Sequence, residues 1–129
     1  MTVFEAFKSV VSEDLDDLKH VNNVRYVQWV QDLAKAHWNS ATTPLQQKEN
    51  IWVLLSHHID YKSAANINDE IHLKTYVTRS EGVTSTRVVE MFHKDSGKLI
   101  VKSETTWCLF DGNTKKPKRI SPEIAAVFH

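Results

Sequence analysis

The stretch from Asn23 to Trp38 constrains the fold more than any other part of this chain. On a helical wheel Arg25, Gln28, Gln31, Asp32 and Lys35 share one narrow face, while Tyr26, Val27, Trp29, Val30, Leu33, Ala34, His37 and Trp38 fill the rest. An apolar arc wider than half the wheel needs more than a flat surface to cover it. It predicts a helix wrapped by a curved sheet.

The rest of the chain supplies that sheet. Residues 3–12 read as a first strand, and residues 51–62, 70–79, 84–94 and 99–110 as four more, each rich in β-branched and aromatic residues. Asn66-Ile67-Asn68-Asp69, Ser80-Glu81-Gly82 and Asp95-Ser96-Gly97 are the turns between the later strands, so the last three form an antiparallel meander. Thr42 to Asn50, with Pro44, reads as the crossing from helix to sheet. Ser121 as N-cap with Pro122 at the first helical position opens a short final helix through Phe128. At 129 residues, 1–129 is expected to form a single domain.

Totals exclude several functions. Sixteen basic and sixteen acidic residues cancel, which argues against nucleic acid as a partner. No apolar run approaches the ~20 residues that cross a bilayer, so no membrane partner is expected. A single cysteine, Cys108, forms no internal disulfide and reads as a small core residue; with no basic-then-apolar leader after Met1, a cytoplasmic setting is expected. No phosphate-cradling loop or glycine-flanked serine occurs among only three glycines.

No metal or other cofactor is expected. Asp14, Asp16 and Asp17 fail as a calcium loop, because Lys19 occupies the position that needs glycine and Arg25 the last ligand position. The seven histidines contain no pair at helical ligand spacing, and adjacent His57 and His58 point to opposite faces of a strand. The basic run Lys115, Lys116, Lys118, Arg119 reads as a solvated face, with phosphate contact as the alternative.

One constellation does carry chemistry. In Asp16-Asp17-Leu18-Lys19-His20-Val21-Asn22-Asn23 a carboxylate and an imidazole stand four residues apart where a loop becomes the long helix. A helix start offers unpaired N–H groups and positive dipole ends, and Asn22-Asn23 are good caps to fix their direction. General acid-base work and oxyanion binding can share that corner. The plainer alternative is that Asp16 caps a turn and His20 bonds locally.

Asp16-x-x-x-His20-Val21-Asn22-Asn23-x-x-Tyr26, followed by a helix and four strands, resembles the hotdog-fold thioesterases. The likeness is to the 4-hydroxybenzoyl-CoA thioesterase-like acyl-CoA thioesterases and to acyl-ACP thioesterases. Ile59-Asp60-Tyr61-Lys62 and Asn68-Asp69-Glu70-Ile71 are similar to a second, more generic segment of that superfamily. The resemblance implies an α+β hotdog: a five-stranded antiparallel sheet around a long central helix, plus the short C-terminal helix. It also implies a homodimer or homotetramer with active sites between subunits, and an acyl-CoA or acyl-ACP substrate.

Carried over by position, Asp16 matches the family's catalytic carboxylate, His20 its motif histidine, and Asn23 the residue whose backbone N–H meets the thioester oxygen. Asn22, Tyr26 and Trp29 are the candidate substrate-binding residues. The expected reaction is hydrolysis of an acyl thioester, with Asp16 as base or nucleophile. The alternatives are an acyl-ACP thioesterase and a non-catalytic hotdog protein that binds acyl thioesters. A hotdog dehydratase or hydratase carries its acid-base residue on the helix itself, unlike Asp16.

Three positions depart from the pattern. Lys19 stands where many relatives have glycine, Leu18 where plant-type acyl-ACP enzymes have asparagine, and Ala64-Ala65 where those enzymes have a Glu-Cys pair. A cysteine-assisted route is thereby closed, which leaves Asp16 to do the chemistry.

Overall fold

The computed structural model describes residues 2–129. Five strands form one antiparallel sheet: β1 (Phe4–Ser9), β2 (Asn50–Tyr61), β3 (Glu70–Glu81), β4 (Thr84–His93) and β5 (Leu99–Asp111). Their spatial order is β1-β3-β4-β5-β2, so β3, β4 and β5 are the expected meander and the other two strands lie at the edges. Helix α1 spans Asn23–Ala41 between the first two strands, and α3 (Pro122–Ala126) closes the chain. Ser121 caps α3, its hydroxyl accepting from the Ile124 N–H at 3.2 Å.

The crossing after α1 contains an additional short helix, α2 (Pro44–Glu49). Its signal is the capping box Thr43-x-x-Gln46: the Thr43 hydroxyl accepts from Gln46 N–H at 3.1 Å, and the Gln46 side chain accepts from Thr43 N–H at 2.9 Å. Pro44 at the first position fits, since that N–H would have no helical partner.

Strand pairing sets the side of the sheet that α1 covers. Ile71, Leu73, Thr75 and Val77 of β3 share one face, and the register places His93, Met91, Val89 and Arg87 of β4 opposite them. Tyr26, Trp29, Val30 and Leu33 pack there against Ile71, Leu73, Val89, Met91 and Val101. A second cluster joins Trp38 to Val77, Leu109, Ile124 and Phe128. Under the C-terminal half of α1 the helix-facing rows turn polar, with Thr75, Ser85, Arg87, Ser103 and Thr105 all buried. Cys108 is buried, as expected of a core residue.

Candidate active site

The loop before α1 is built by backbone bonds and two carboxylates. Leu15 and Val21 form an antiparallel bridge, and between them Asp16 N–H donates to the His20 carbonyl at 2.8 Å. Asp16 Oδ1 accepts from the N–H groups of Leu18 (2.9 Å) and His20 (3.1 Å). Buried Asp14 accepts from Val11 N–H at 3.0 Å and lies 3.7 Å from Arg25 Nε, which ties the loop to the first turn of α1. Lys19 sits at φ 63°, in the left-handed region that favours glycine.

Asp16 is half-buried, and its Oδ2 accepts no hydrogen bond among the described residues. The His20 side chain is exposed and makes no hydrogen bond to Asp16; only the His20 main chain meets Asp16. Asn22 is the N-cap of α1, with its Oδ1 accepting from Val24 N–H at 3.1 Å. Its side chain is engaged in capping. The Asn23 N–H has no acceptor among the described residues and sits at the positive end of the helix.

Tyr26 and Trp29 are buried, packed edge to face with ring centroids 5.6 Å apart. Burial pushes the Tyr26 phenol up to about 12, with the negative charges of Asp69 and Asp16 nearby adding to the effect. The Ala65 backbone N–H pulls the other way, though the buried hydroxyl has no well-formed hydrogen bond among the described residues. Val21 N–H donates to the Ala65 carbonyl at 2.9 Å, so the Ala65 position carries a backbone contact to the loop.

A cavity of about 470 Å³ opens further along α1, between its C-terminal half and the sheet. Trp38, Trp52, Trp107 and Phe128 wall it, and Arg87 reaches it from β4. The Arg87 Nη1 donates to His37 Nδ1 at 3.0 Å and to Thr75 Oγ1 at 2.9 Å. Because a guanidinium only donates, His37 Nδ1 is the unprotonated ring nitrogen. Burial, then the Arg87 charge, lowers His37 to about 4, so the imidazole is neutral. Burial also lowers Arg87 to about 10, which leaves it cationic at neutral pH.

The sequence reading placed His37 in the apolar arc and passed over Arg87. The signal was present in the alternation Ser85, Arg87, Val89, Met91, which puts Arg87 on the face of the sheet that meets the helix. The basic C-terminal run is partly spent on local structure: Lys115 Nζ donates to the Gly112 carbonyl at 2.6 Å, and Lys118 Nζ to the Glu49 carbonyl at 3.0 Å. No group of three or more His, Cys, Asp or Glu side chains suited to a metal occurs among the described residues. Among the described residues no helix is long and apolar enough to cross a membrane.

Solved structures share this architecture. A 1,4-dihydroxy-2-naphthoyl-CoA thioesterase from Synechocystis superposes with a TM-score of 0.85 at 15% identity, over 98% of this chain and 96% of that one. A hypothetical protein from Staphylococcus aureus, solved in complex with CoA, gives 0.85 at 15% identity over 98% and 81%. A 12:0-ACP thioesterase from Umbellularia californica gives 0.83 at 15% identity, over 98% of this chain and 51% of that one. At such identities the likeness shows the hotdog fold. A comparison with curated protein sequences finds no significant match. The profile of the thioesterase-like superfamily matches residues 10–128, nearly the whole chain, and the protein belongs to that superfamily.

Proposed function

We propose that this protein hydrolyses acyl-CoA thioesters to a carboxylic acid and free thiol, with Asp16 as general base or nucleophile. The observation that carries the reading is the state of the Asp16 carboxylate. One oxygen is fixed by two backbone N–H groups, and the other accepts none among the described residues, in the loop that leads into a helix whose first N–H is unpaired. A thioester carbonyl against the Asn23 N–H would be polarised there, and an oxyanion donor of that kind contributes roughly 3 to 4 kcal/mol. The leaving thiol, with a pKa near about 8.5, departs without strong acid assistance, so a single carboxylate suffices.

In this reading Asp16 either draws a proton from water as it attacks the carbonyl or attacks directly to give an anhydride that water then opens. His20, exposed at the loop's rim, is free to turn toward the water or the sulfur. Asn22 serves by fixing the helix start, and Tyr26 and Trp29 by shaping the wall behind it. The CoA-bound and acyl-ACP relatives above support a thioester substrate; CoA is the carrier we favour, with acyl-ACP the alternative.

A homodimer completes the proposal. The edge strand β2 is twelve residues long and leaves Val53 and Leu55 exposed, apolar side chains that a second copy would cover. Leu55→Lys is expected to shift the sedimentation coefficient toward a monomer.

The deciding experiment follows thiol release from acyl-CoAs, acetyl to palmitoyl and aryl, for wild type and Asp16→Ala. Turnover lost in the variant is the expected result. A folded protein that binds these esters without cleaving them would instead be an acyl-thioester-binding module.

A further inference from the structure

Arg87 is 4% exposed, yet no carboxylate lies within ion-pair distance of it among the described residues. A buried cation without a counter-charge is costly, and buried charges are ordinarily paired. Only Nη1 is occupied, by His37 and Thr75, both neutral acceptors. The Nε and Nη2 donors have no protein acceptor among the described residues, and they are not among the fully enclosed orphan atoms of the core. They therefore keep accessible surface, and the cavity is the open space that Arg87 lines.

The guanidinium is also held firmly. Its Cζ lies 4.9 Å from the centre of the Phe128 ring, and His37 is itself stacked on Phe4 at 5.0 Å. Thr75 in turn donates to the Val88 carbonyl at 2.9 Å, which leaves its oxygen to accept from Arg87. The other charged groups at the cavity, Lys35 and Asp32, are on the exposed stripe of α1, and Asp32 already accepts from Gln28 at 2.8 Å. The result is a fixed, buried, planar pair of donors at the base of a tryptophan-walled cavity whose volume falls within the roughly 300–1,000 Å³ of small-molecule sites.

We propose that Arg87 binds a carboxylate at the far end of the substrate's acyl group, so that the preferred thioesters carry an ω-carboxylate. This rests on the thioester reading above for the identity of the ligand, and on the cavity alone for its charge. Bidentate Arg–carboxylate pairing supplies the attraction, and desolvation in the cavity rejects the uncharged chain end, which would leave the donors unpaired. Along α1 the level of His37 lies about 21 Å from Asn23 of the same protomer, at 1.5 Å of rise per residue. The length at which discrimination peaks therefore reports how far the reacting carbonyl lies from Arg87.

The test is binding, read by the fluorescence of Trp38, Trp52 and Trp107 in the cavity wall, with the Asp16→Asn protein used to suppress turnover. Matched pairs run from adipyl-CoA against hexanoyl-CoA to hexadecanedioyl-CoA against palmitoyl-CoA. The expected result is about tenfold or tighter binding of the ω-carboxyl ester at one or more lengths. Arg87→Met is expected to collapse that ratio toward unity, and Arg87→Lys to restore only part of it. Equal affinities within every pair would overturn the proposal, and that comparison needs no Arg87 variant to fold. Free monocarboxylic acids that bind through Arg87 without any preference among the esters would overturn it too, since the anion recognised would then be released product. Failure of wild type to hydrolyse any ester strikes the hydrolase reading alone, because the affinity ratio is still measured.

Discussion

Asp16 is linked twice to the main chain of His20, its N–H donating to the His20 carbonyl at 2.8 Å and its Oδ1 accepting the His20 N–H at 3.1 Å. The pair that looks like a dyad in the sequence is thus a closed loop whose side chains stand apart. The proposed mechanism gives the carboxylate two tasks, one for each oxygen, and they separate by mutation. Asp16→Asn keeps an Oδ1 acceptor for Leu18 and His20 but removes the basic, nucleophilic oxygen. It is expected to retain the wild-type melting temperature while thiol release falls by about a hundredfold or more. Near-normal turnover in this variant would rule out Asp16 as the reacting group.

Lys19 carries the backbone cost of the same loop. At φ 63° a side chain is strained by roughly 1–2 kcal/mol, and glycine is not. Lys19→Gly is expected to stabilise the protein by up to about 1 kcal/mol, because glycine's greater freedom in the unfolded chain offsets part of the relief. A urea unfolding midpoint that drops in the variant would show that the lysine side chain contributes more than its strained backbone costs.

His37 gives the protein an acid sensitivity of known sign. Unfolded, its imidazole titrates near its usual 6.5, whereas burial and the Arg87 charge hold the folded group at about 4. Between those values the unfolded state takes up a proton that the native state refuses. Stability therefore falls as pH drops from 6.5 toward 4, and this contribution is constant above that window. His37→Gln, whose amide oxygen can still accept from Arg87, is expected to flatten that part of the stability profile. Denaturant midpoints measured from neutral pH to about 4 decide it; parallel profiles for the two proteins would refute the assignment.

Gly112 is needed for close approach. A Cβ there would fall 1.9 Å from the Lys48 carbonyl oxygen, where α2 meets the end of β5, and its own N–H donates to the Glu49 carbonyl at 2.8 Å. Gly112→Ala is expected to lose about 1–3 kcal/mol of stability through displaced backbone, with activity per folded molecule retained. Chemical denaturation beside an active-site titration separates the two quantities.

Local chemistry made much of this protein readable from its sequence. The wide apolar arc from Tyr26 to Trp38 demanded a sheet on more than one side, strand composition and turns located β1 to β5, and Ser121-Pro122 marked α3. The motif from Asp16 to Asn23 is contiguous, so loop, cap and helix start could be inferred without tertiary information. Helix α2 was written in Thr43-x-x-Gln46 and passed over because the segment is short and its apolar content low.

What the tertiary structure alone decided depends on residues far apart in the chain. Edge-strand positions for β1 and β2 follow from long-range pairing, which no local pattern encodes. The left-handed backbone of Lys19 follows from closure of the loop by the Leu15–Val21 bridge. The meeting of His37 from α1, Thr75 from β3 and Arg87 from β4 exists only once the helix lies across the sheet. In the sequence these are an arc histidine, a strand threonine and an arginine fifty residues beyond the histidine. Their burial together, which fixes the histidine neutral and leaves the arginine cationic and facing a cavity, is a consequence of packing, because desolvation acts on where a side chain ends up and not on its neighbours in sequence.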